Sequence, residues 1–290
     1  MVAFLEKISR WVRVRPSVVK TARQIAQVWS RLCPVMNRET AITAAPDAES
    51  PLARRLSQYL DLTYSERDAL RALEQERHEF EPGDIIARED EALERMYIVG
   101  SGWLHASTHL QDGARQILRF IFVGEIATMF SVAWEYSAAT LTAVSRCTLY
   151  GFERTTLGQL FREYPRLGAL LYAVAAAEQV AMADRLTSIG RTDGMARIAT
   201  LLLDIRSRLR AVGEISGSQF EVPLTQQDLG DAVGLTKTHI GRSLKALEKT
   251  GLVEREGRLI RITDVNALSD IVDFKDRHAH IDTSWIAQKH

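Results

Sequence analysis

The sequence predicts an α+β fold in which an antiparallel β-roll is followed by a long helix and a second, mainly helical domain. Between Arg77 and Phe152, short apolar runs alternate with glycine turns, a pattern typical of a small antiparallel roll. A long helical pattern then runs from Pro165 to about Ile189. With 290 residues and 46% hydrophobic content, the chain is long enough for two modest cores.

The net charge does not indicate a binding partner, because Lys plus Arg and Asp plus Glu number 37 each. A nucleic-acid partner must therefore be argued from local clusters of charge. The two cysteines, Cys33 and Cys147, form neither a disulfide framework nor a metal-binding spacing, which favours a reducing cytoplasm. The longest apolar runs, such as that around Leu201, are too short to span a bilayer.

Residues 1–51 are interpreted as a basic N-terminal extension. The first 38 residues carry eight Lys or Arg against a single Glu, with apolar residues at helical spacing. Such a segment could lie on an acidic membrane or on DNA. The alternatives are a poorly ordered extension and an upstream start codon, with Met36 as the true start.

Residues 52–164 are predicted to form the roll with flanking helices. Leu52–Leu62 and a segment from Ser65 to about Glu76 have helical patterns. Asp112-Gly113 is a strong hairpin signal between two of the runs. The expected strands are Met96–Val99, Trp103–Leu110, Arg115–Phe122, Thr140–Val144 and Thr148–Phe152.

Residues 165–190 are predicted to form a dimerisation helix, with Pro165 in its first turn and a break at Gly190. We expect its apolar stripe to be buried on a second chain, although part of it could pack on its own roll. The stripe consists of Leu167, Leu170, Leu171, Val174, Ala177 and Ala181. Asp193 can cap the next helix, which is expected to end near Leu209.

Residues 191–275 contain a helix-turn-helix pattern, and residues 276–290 are left as a C-terminal tail. Thr225 and Asp228 form a capping box, Gly230 permits a close helix crossing, and Gly234 suits a turn with positive φ. Ile240 fills the space between the two helices. The hairpin Leu252–Ile262, turning at Glu256-Gly257, is the wing. The outer face of the second helix, which begins near Thr236, is basic: Lys237, Thr238, His239, Arg242, Lys245 and Lys249, opposed by Glu248.

Over about residues 52–275 the chain resembles the cyclic-AMP receptor protein and fumarate-nitrate regulator (Crp/Fnr) family of bacterial transcription factors. The strings that carry the resemblance are Pro82-Gly83-Asp84, Tyr97–Gly102, Asp112–Arg115, Gly124-Glu125, Asp193–Ala199 and Leu224–Leu247. The resemblance implies a β-roll sensor, a homodimer, and a winged helix-turn-helix that binds a palindromic operator in double-stranded DNA. It also implies RNA polymerase as a partner.

Carried over by position, the resemblance implies a DNA interface formed by Gln226, Thr236, Lys237, Thr238, His239, Arg242 and Lys245. Gln226 and His239 would contact the backbone, whereas Lys237, Thr238 and Arg242 would face bases. Family members usually have glutamate where this chain has Thr238, which cannot act as a charged acceptor for a cytosine amino group. Arg242 retains the capacity to read guanine with two hydrogen bonds.

The effector pocket departs from the family pattern. Its implied residues are Glu125, Tyr136, Ser137 and Met182. Tyr136 stands where cyclic-AMP binders have the arginine that pairs the phosphate, and Met182 cannot reproduce the polar adenine contacts. The sequence therefore predicts an unknown small-molecule or redox effector rather than cyclic AMP.

Cofactor signals are weak. Two cysteines cannot hold an iron–sulfur cluster, and Cys147 is interpreted as a core residue. Haem would have His78, His105 and His109 as candidates, but a solvated strand face also explains the last two. No catalytic motif or metal-ligand spacing is recognised, so no enzyme is predicted. The alternative function is a cyclic-nucleotide-binding signalling module without DNA binding.

Overall fold

The computed structural model describes residues 49–279 and 281–286, so most of the predicted extension 1–51 lies outside the described residues. The elements in chain order are α1 (Pro51–Ser57), α2 (Tyr64–Ala72), β1 (Glu76–Phe80), β2 (Ile85–Ala87), β3 (Met96–Ser101), β4 (Leu104–His109), β5 (Arg115–Ile121), a 3₁₀ turn (Met129–Ser131), β6 (Thr140–Ala143), β7 (Cys147–Phe152), α3 (Arg154–Glu163), α4 (Pro165–Arg191), α5 (Gly194–Ala211), β8 (Gln219–Glu221), α6 (Gln226–Val233), α7 (Lys237–Lys249), β9 (Val253–Glu256), β10 (Leu259–Ile262) and α8 (Val265–Val272).

The predicted roll consists of two antiparallel sheets with strand orders β1-β7-β3 and β2-β6-β4-β5. The β4–β5 hairpin turns at Gly113, whose φ of 84° agrees with the Asp112-Gly113 signal. Strand β1 was not identified from the sequence, because none of its side chains is fully buried. Helix α2 ends at Ala72, earlier than expected, because Glu76 already pairs with Gly151 in the sheet.

The structure corrects one expectation about α4 and shows which of two alternatives holds for the start of its apolar stripe. It continues through Gly190 to Arg191, so this glycine does not break it. Leu167, Leu170 and Leu171 are buried in the chain's own core with α1, α2 and α3. The first part of the predicted stripe therefore faces the roll, and a different face of α4 is free: Tyr172 is 72% exposed and Leu186 is 73% exposed.

Helix α4 also bears on the expectation that no segment could span a bilayer. Within the part of the chain that the structure describes, it is the one helix long and apolar enough to cross a membrane. Core helices of soluble proteins can have the same length and apolar composition, so these two properties do not by themselves indicate a membrane span.

The C-terminal domain packs α5 and α8 with the two-helix unit α6–α7 around a small sheet of order β8-β10-β9. Asp193 caps α5 as predicted, its carboxylate accepting from the Ala196 amide at 2.9 Å. The wing hairpin β9–β10 is present, and β8 adds a third strand that the sequence reading missed.

The roll and the C-terminal domain share one apolar core. Ile117, Phe120 and Phe122, from β5 and the residue after it, belong to the same buried cluster as the core of the C-terminal domain. The C-terminal segment also returns to the roll, where the Thr283 hydroxyl donates to the Tyr59 carbonyl at 2.6 Å and Ile286 is buried. The roll and the C-terminal half are therefore in contact both through this shared core and through the C-terminal segment.

Candidate nucleic-acid interface and effector region

Local sequence devices hold the α6–α7 unit. Thr225 and Asp228 form the predicted reciprocal capping box at the start of α6. A Cβ on Gly230 would lie 2.5 Å from the Leu235 carbonyl oxygen, so only glycine permits this approach. Gly234 ends α6 with a left-handed φ of 67°, and Ile240 is fully buried between the helices. The expected reasons for these residues are thus confirmed.

Helix α7 presents a free basic face. Ile240, Leu244 and Leu247 are buried beneath it. The exposed side chains are Lys237, Thr238, His239, Arg242, Lys245 and Lys249. Glu248, the acid that opposes them, is held by Arg255 of the wing at 3.2 Å. The helix therefore offers donors and positive charge outward, as a DNA-binding surface requires.

The remaining two predicted interface residues occupy helix starts. Thr236 is the N-cap of α7, where its hydroxyl accepts from the His239 amide at 3.4 Å. The same hydroxyl lies 3.1 Å from His239 Nδ1, so Thr236 is committed to local contacts. Gln226 is the first residue of α6 and is half-buried.

The opposite side of α6 is held by the roll. Arg115 of β5 donates to Asp228 at 2.6 Å and to Asp231 at 2.7 Å, and Gln116 donates to the Asp231 carbonyl at 2.6 Å. Burial opposes ionisation of Asp228, but hydrogen bonds from Thr225 and Arg115 outweigh it and lower its pKa. The capping box of α6 is thus also a salt bridge to the roll.

The predicted effector residues are not brought together around one open space. The Glu125 carboxylate is 5% exposed and faces Arg208 at 2.7 Å, Arg119 at 2.6 Å and Arg55 at 3.2 Å. Burial opposes its ionisation, but the three arginines, Arg208 foremost, keep its pKa below the usual value. Arg208 belongs to α5 and also stacks over Phe122, 4.8 Å from the ring centroid.

The other three effector residues lie apart from this cluster. Tyr136 is 55% exposed, and the buried Ser137 hydroxyl donates to the Ala139 carbonyl at 2.7 Å. Met182 lies on α4 and lines a cavity that includes none of the other three. No sequence signal linked Arg208 to Glu125, because 83 positions separate them.

The surroundings of His105 differ from the expectation of a solvated strand face. His105 does not lie on a solvated face: it is 3% exposed, and Arg115 approaches its Nε2 to 3.4 Å. Burial and Arg115 lower its pKa to about 4. His78 packs edge-on against Tyr97, whereas His109 is exposed. The three rings therefore lie in different surroundings.

Cys147 is a core residue, as predicted. Burial, with Asp84 and Glu81 nearby, raises the pKa of its thiol to about 12, so little reactive thiolate forms at neutral pH. Among the residues that the structure covers, no group of three or more His, Cys, Asp and Glu is arranged to hold a metal ion.

Comparison with known proteins agrees with this geometry. Residues 77–164 match the family model of the cyclic nucleotide-binding domain, and residues 196–271 match that of the Crp-like helix-turn-helix domain. The chain is 28% identical to the nitrogen fixation regulation protein FixK of Azorhizobium caulinodans, over 63% of this chain and 73% of that protein. It is 24% identical to the transcriptional activator protein FnrA of Stutzerimonas stutzeri, over 71% of this chain and 84% of that protein.

A solved structure shows the same fold. FixK2 from Bradyrhizobium japonicum superposes with a TM-score of 0.58 and 25% sequence identity. The match covers 67% of this chain and 95% of that one.

Proposed function

Because the chain belongs to the Crp/Fnr family of DNA-binding transcription regulators, we propose that two copies of it bind one palindromic operator in the cytoplasm. Each copy places α7 in the major groove and acts on transcription by RNA polymerase. The observation that carries the proposal is the exposed basic face of α7 above a buried apolar face. The alternative function, a signalling module without DNA binding, does not explain this exposed basic face.

The dimer is proposed to form along the free side of α4 rather than along the originally expected stripe. We call this side the outward seam; its members are Tyr172, Ala175, Gln179, Met182 and Leu186, all exposed. They follow one another at alternating steps of three and four residues, the spacing at which two helices interdigitate. Gln179 provides a polar position in the middle of the seam, a feature that can fix the register of paired helices.

Two residues of α7 are proposed to make different kinds of contact. Arg242 lies in the first half of the helix, which enters the groove, and can read guanine with two hydrogen bonds. Lys245 lies further along, where the helix rises toward the backbone, and meets a phosphate. Both side chains are exposed and form no ion pair with the described residues, so neither has to break an ion pair before it contacts DNA.

Salt titrations on matched and mismatched genomic operators test this assignment. Arg242→Ala should cost about 1–3 kcal/mol at one base pair per half-site and relax base preference there. Lys245→Ala should weaken binding equally for all sequences and reduce the log–log salt slope by about one per subunit. Arg71→Ala, an exposed change on α2 of the roll, is the control. Uniform loss of affinity with unchanged base preference in Arg242→Ala would contradict the docking of α7.

The signal is proposed not to be cyclic AMP. The Glu125 carboxylate, which would hold the ribose, already accepts from arginines at both oxygens. Tyr136 is exposed and brings no charge to a phosphate. Calorimetry with cyclic AMP should show no binding at micromolar ligand, whereas tight binding would disprove this part of the proposal.

A further inference from the structure

A cavity of about 340 Å³ lies where five parts of the chain meet. Its walls come from β5, the second half of α4, α5, the end of α6, and the segment that follows α8. Its volume falls within the range of small-molecule sites, roughly 300–1,000 Å³. Of the four predicted effector residues, Met182 lines this cavity, whereas Glu125, Tyr136 and Ser137 do not.

Arg185 is the first unusual feature of the wall. Its guanidinium donates to the carbonyls of Ile117 and Ala232 at 2.8 and 2.7 Å, and also to the Leu118 carbonyl. No carboxylate among the described residues forms an ion pair with it. Burial lowers the pKa of Arg185 to about 10, although the charge of Asp204 opposes this shift, so the guanidinium stays charged at neutral pH.

Arg197 repeats the pattern. It donates to the carbonyls of Thr192 and Val233 at 3.0 and 3.3 Å and likewise has no carboxylate partner in the described part of the chain. The carbonyls of Ala232 and Val233 end helix α6, whose C terminus carries roughly half a negative charge. Two full positive charges thus lie beside a helix end that carries about half a negative charge.

The other charges of the wall do not remove this excess. Glu178 is shared by Arg119 at 3.4 Å and Arg208 at 3.6 Å, and Asp184 pairs with Arg277 at 2.6 Å. Asp204 lies 3.7 Å from Arg208. Of the charged lining residues that the structure describes, this leaves Arg185, Arg197 and Lys275 against the exposed Asp273. The cavity is therefore net positive.

The rest of the wall is apolar. Phe120, Ile189, Leu201, Val233 and Phe274 line the cavity beside these cations. Inorganic phosphate would leave the apolar part of the wall unused, and a neutral apolar compound would leave the cations unmatched. We propose that the cavity binds a small organic anion, with a carboxylate or similar group at Arg197 and Lys275 and an apolar body against Phe120 and Phe274.

This inference rests on the proposed function for its biological role. A ligand in the cavity touches the roll, the dimerisation helix and the end of α6 at once. Binding of this ligand is therefore coupled to the position of the α6–α7 unit. By linkage, the factor by which the ligand changes the affinity for DNA equals the factor by which DNA changes the affinity for the ligand. The cavity is thus assigned as an effector site of the regulator.

Fluorescence titration with a matched pair of probes tests the site. The first probe, 8-anilino-1-naphthalenesulfonate, is an organic anion; the second, N-phenyl-1-naphthylamine, has the same aromatic body without the sulfonate. We expect saturable binding of the anion at one site per chain. Arg197→Gln should weaken it at least tenfold and Lys275→Gln several-fold, with the neutral probe unaffected. Arg191→Gln, an exposed change at the end of α4 outside the cavity, should leave both probes unchanged.

Three outcomes overturn the site: no saturable binding of the anion, equal binding of the two probes, or unchanged anion binding in both Arg197→Gln and Lys275→Gln. The exposed Lys275 makes no hydrogen bond in the described chain, so its variant remains informative if Arg197→Gln fails to fold. Saturating anion should also shift operator affinity in the wild type but not in Arg197→Gln, and an unchanged affinity overturns the coupling. Absence of operator binding with and without probe would instead overturn the proposed function, while the probe titrations remain a valid test of the site.

Discussion

The α6–α7 unit and the region around Glu125 depend on the sequence in different ways. In α6–α7, the residues that matter lie within a few turns of one another, from Thr225 to Leu247. Around Glu125, the decisive partners come from α1, β5 and α5. A local sequence pattern therefore predicts the α6–α7 unit. The ion pairs around Glu125 cannot be predicted in this way, because they join segments that are distant in the sequence.

The same difference separates the two sides of α4. The stripe expected to meet a second chain begins with residues that fill the chain's own core, and the outward seam is offset from it by about one residue. Helical spacing identifies that α4 has an apolar face, but spacing alone cannot say which neighbour covers it.

Leu171→Glu against Tyr172→Glu should give the largest contrast. Leu171 is 6% exposed, so a buried carboxylate there should cost at least about 4 kcal/mol and abolish cooperative unfolding. Tyr172 is 72% exposed, so the same change should leave the monomer folded but separate the dimer. Circular dichroism and sedimentation velocity read the two effects. A folded, monomeric Leu171→Glu would restore the original stripe as the dimer surface.

Arg208→Met tests the long-range cluster. The change leaves Glu125 and Glu178 buried with one cation fewer, and breaking a buried ion pair from one side costs about 3–5 kcal/mol. Arg210→Met, two residues on and exposed, should change stability by less than about 0.5 kcal/mol. Urea unfolding measures both. Equal midpoints for the two variants would mean that Arg208 is not what stabilises the Glu125 carboxylate.

Glu74→Gln tests a buried carboxyl of the roll that local pattern also failed to predict. Burial raises the pKa of Glu74 to about 7 despite hydrogen bonds from Ser50 and the Leu52 amide. The folded-state pKa of Glu74 lies above its unfolded-state value. The contribution of this carboxyl to the free energy of unfolding is therefore fully present below about pH 4.5 and is lost as the pH rises through 7. The total loss should be about 3 kcal/mol, from 1.36 kcal/mol per pKa unit.

Unfolding of the wild type and of Glu74→Gln at pH 5, 7 and 9 measures this loss. The variant should be less sensitive to pH across that range, whereas Glu163→Gln, an exposed change at the end of α3, should follow the wild type. Parallel pH profiles for wild type and Glu74→Gln would show that this carboxyl ionises as freely as an exposed one.

The sequence could predict much of the fold for a physical reason. Capping residues, hairpin glycines and the close crossing at Gly230 act over a few positions, and all lie in the structure where the pattern placed them. Strand β1 could not be predicted, because it depends on pairing with β7, and the environment of His105 could not be predicted, because it includes Asp228 and Asp231 of α6. The same holds for Arg185 and Arg197 at the cavity. Their hydrogen bonds to carbonyls on β5 and α6 could not be predicted from the local sequence.

The smallest expected effect lies within α7 itself, where two threonines two positions apart should separate folding from recognition. Thr236 caps the helix through the His239 amide, so Thr236→Ala should cost about 1 kcal/mol of stability. The Thr238 side chain is exposed on the outer face and makes no hydrogen bond in the described chain, so Thr238→Ala should leave stability unchanged. In DNA binding the order should reverse: Thr238→Ala should alter preference at one base pair, and Thr236→Ala should weaken all operators alike, through a less ordered helix start. Thermal unfolding and operator competition measure the two effects, and a change of base preference in Thr236→Ala with unaltered stability would move Thr236 from the helix cap to the reading face.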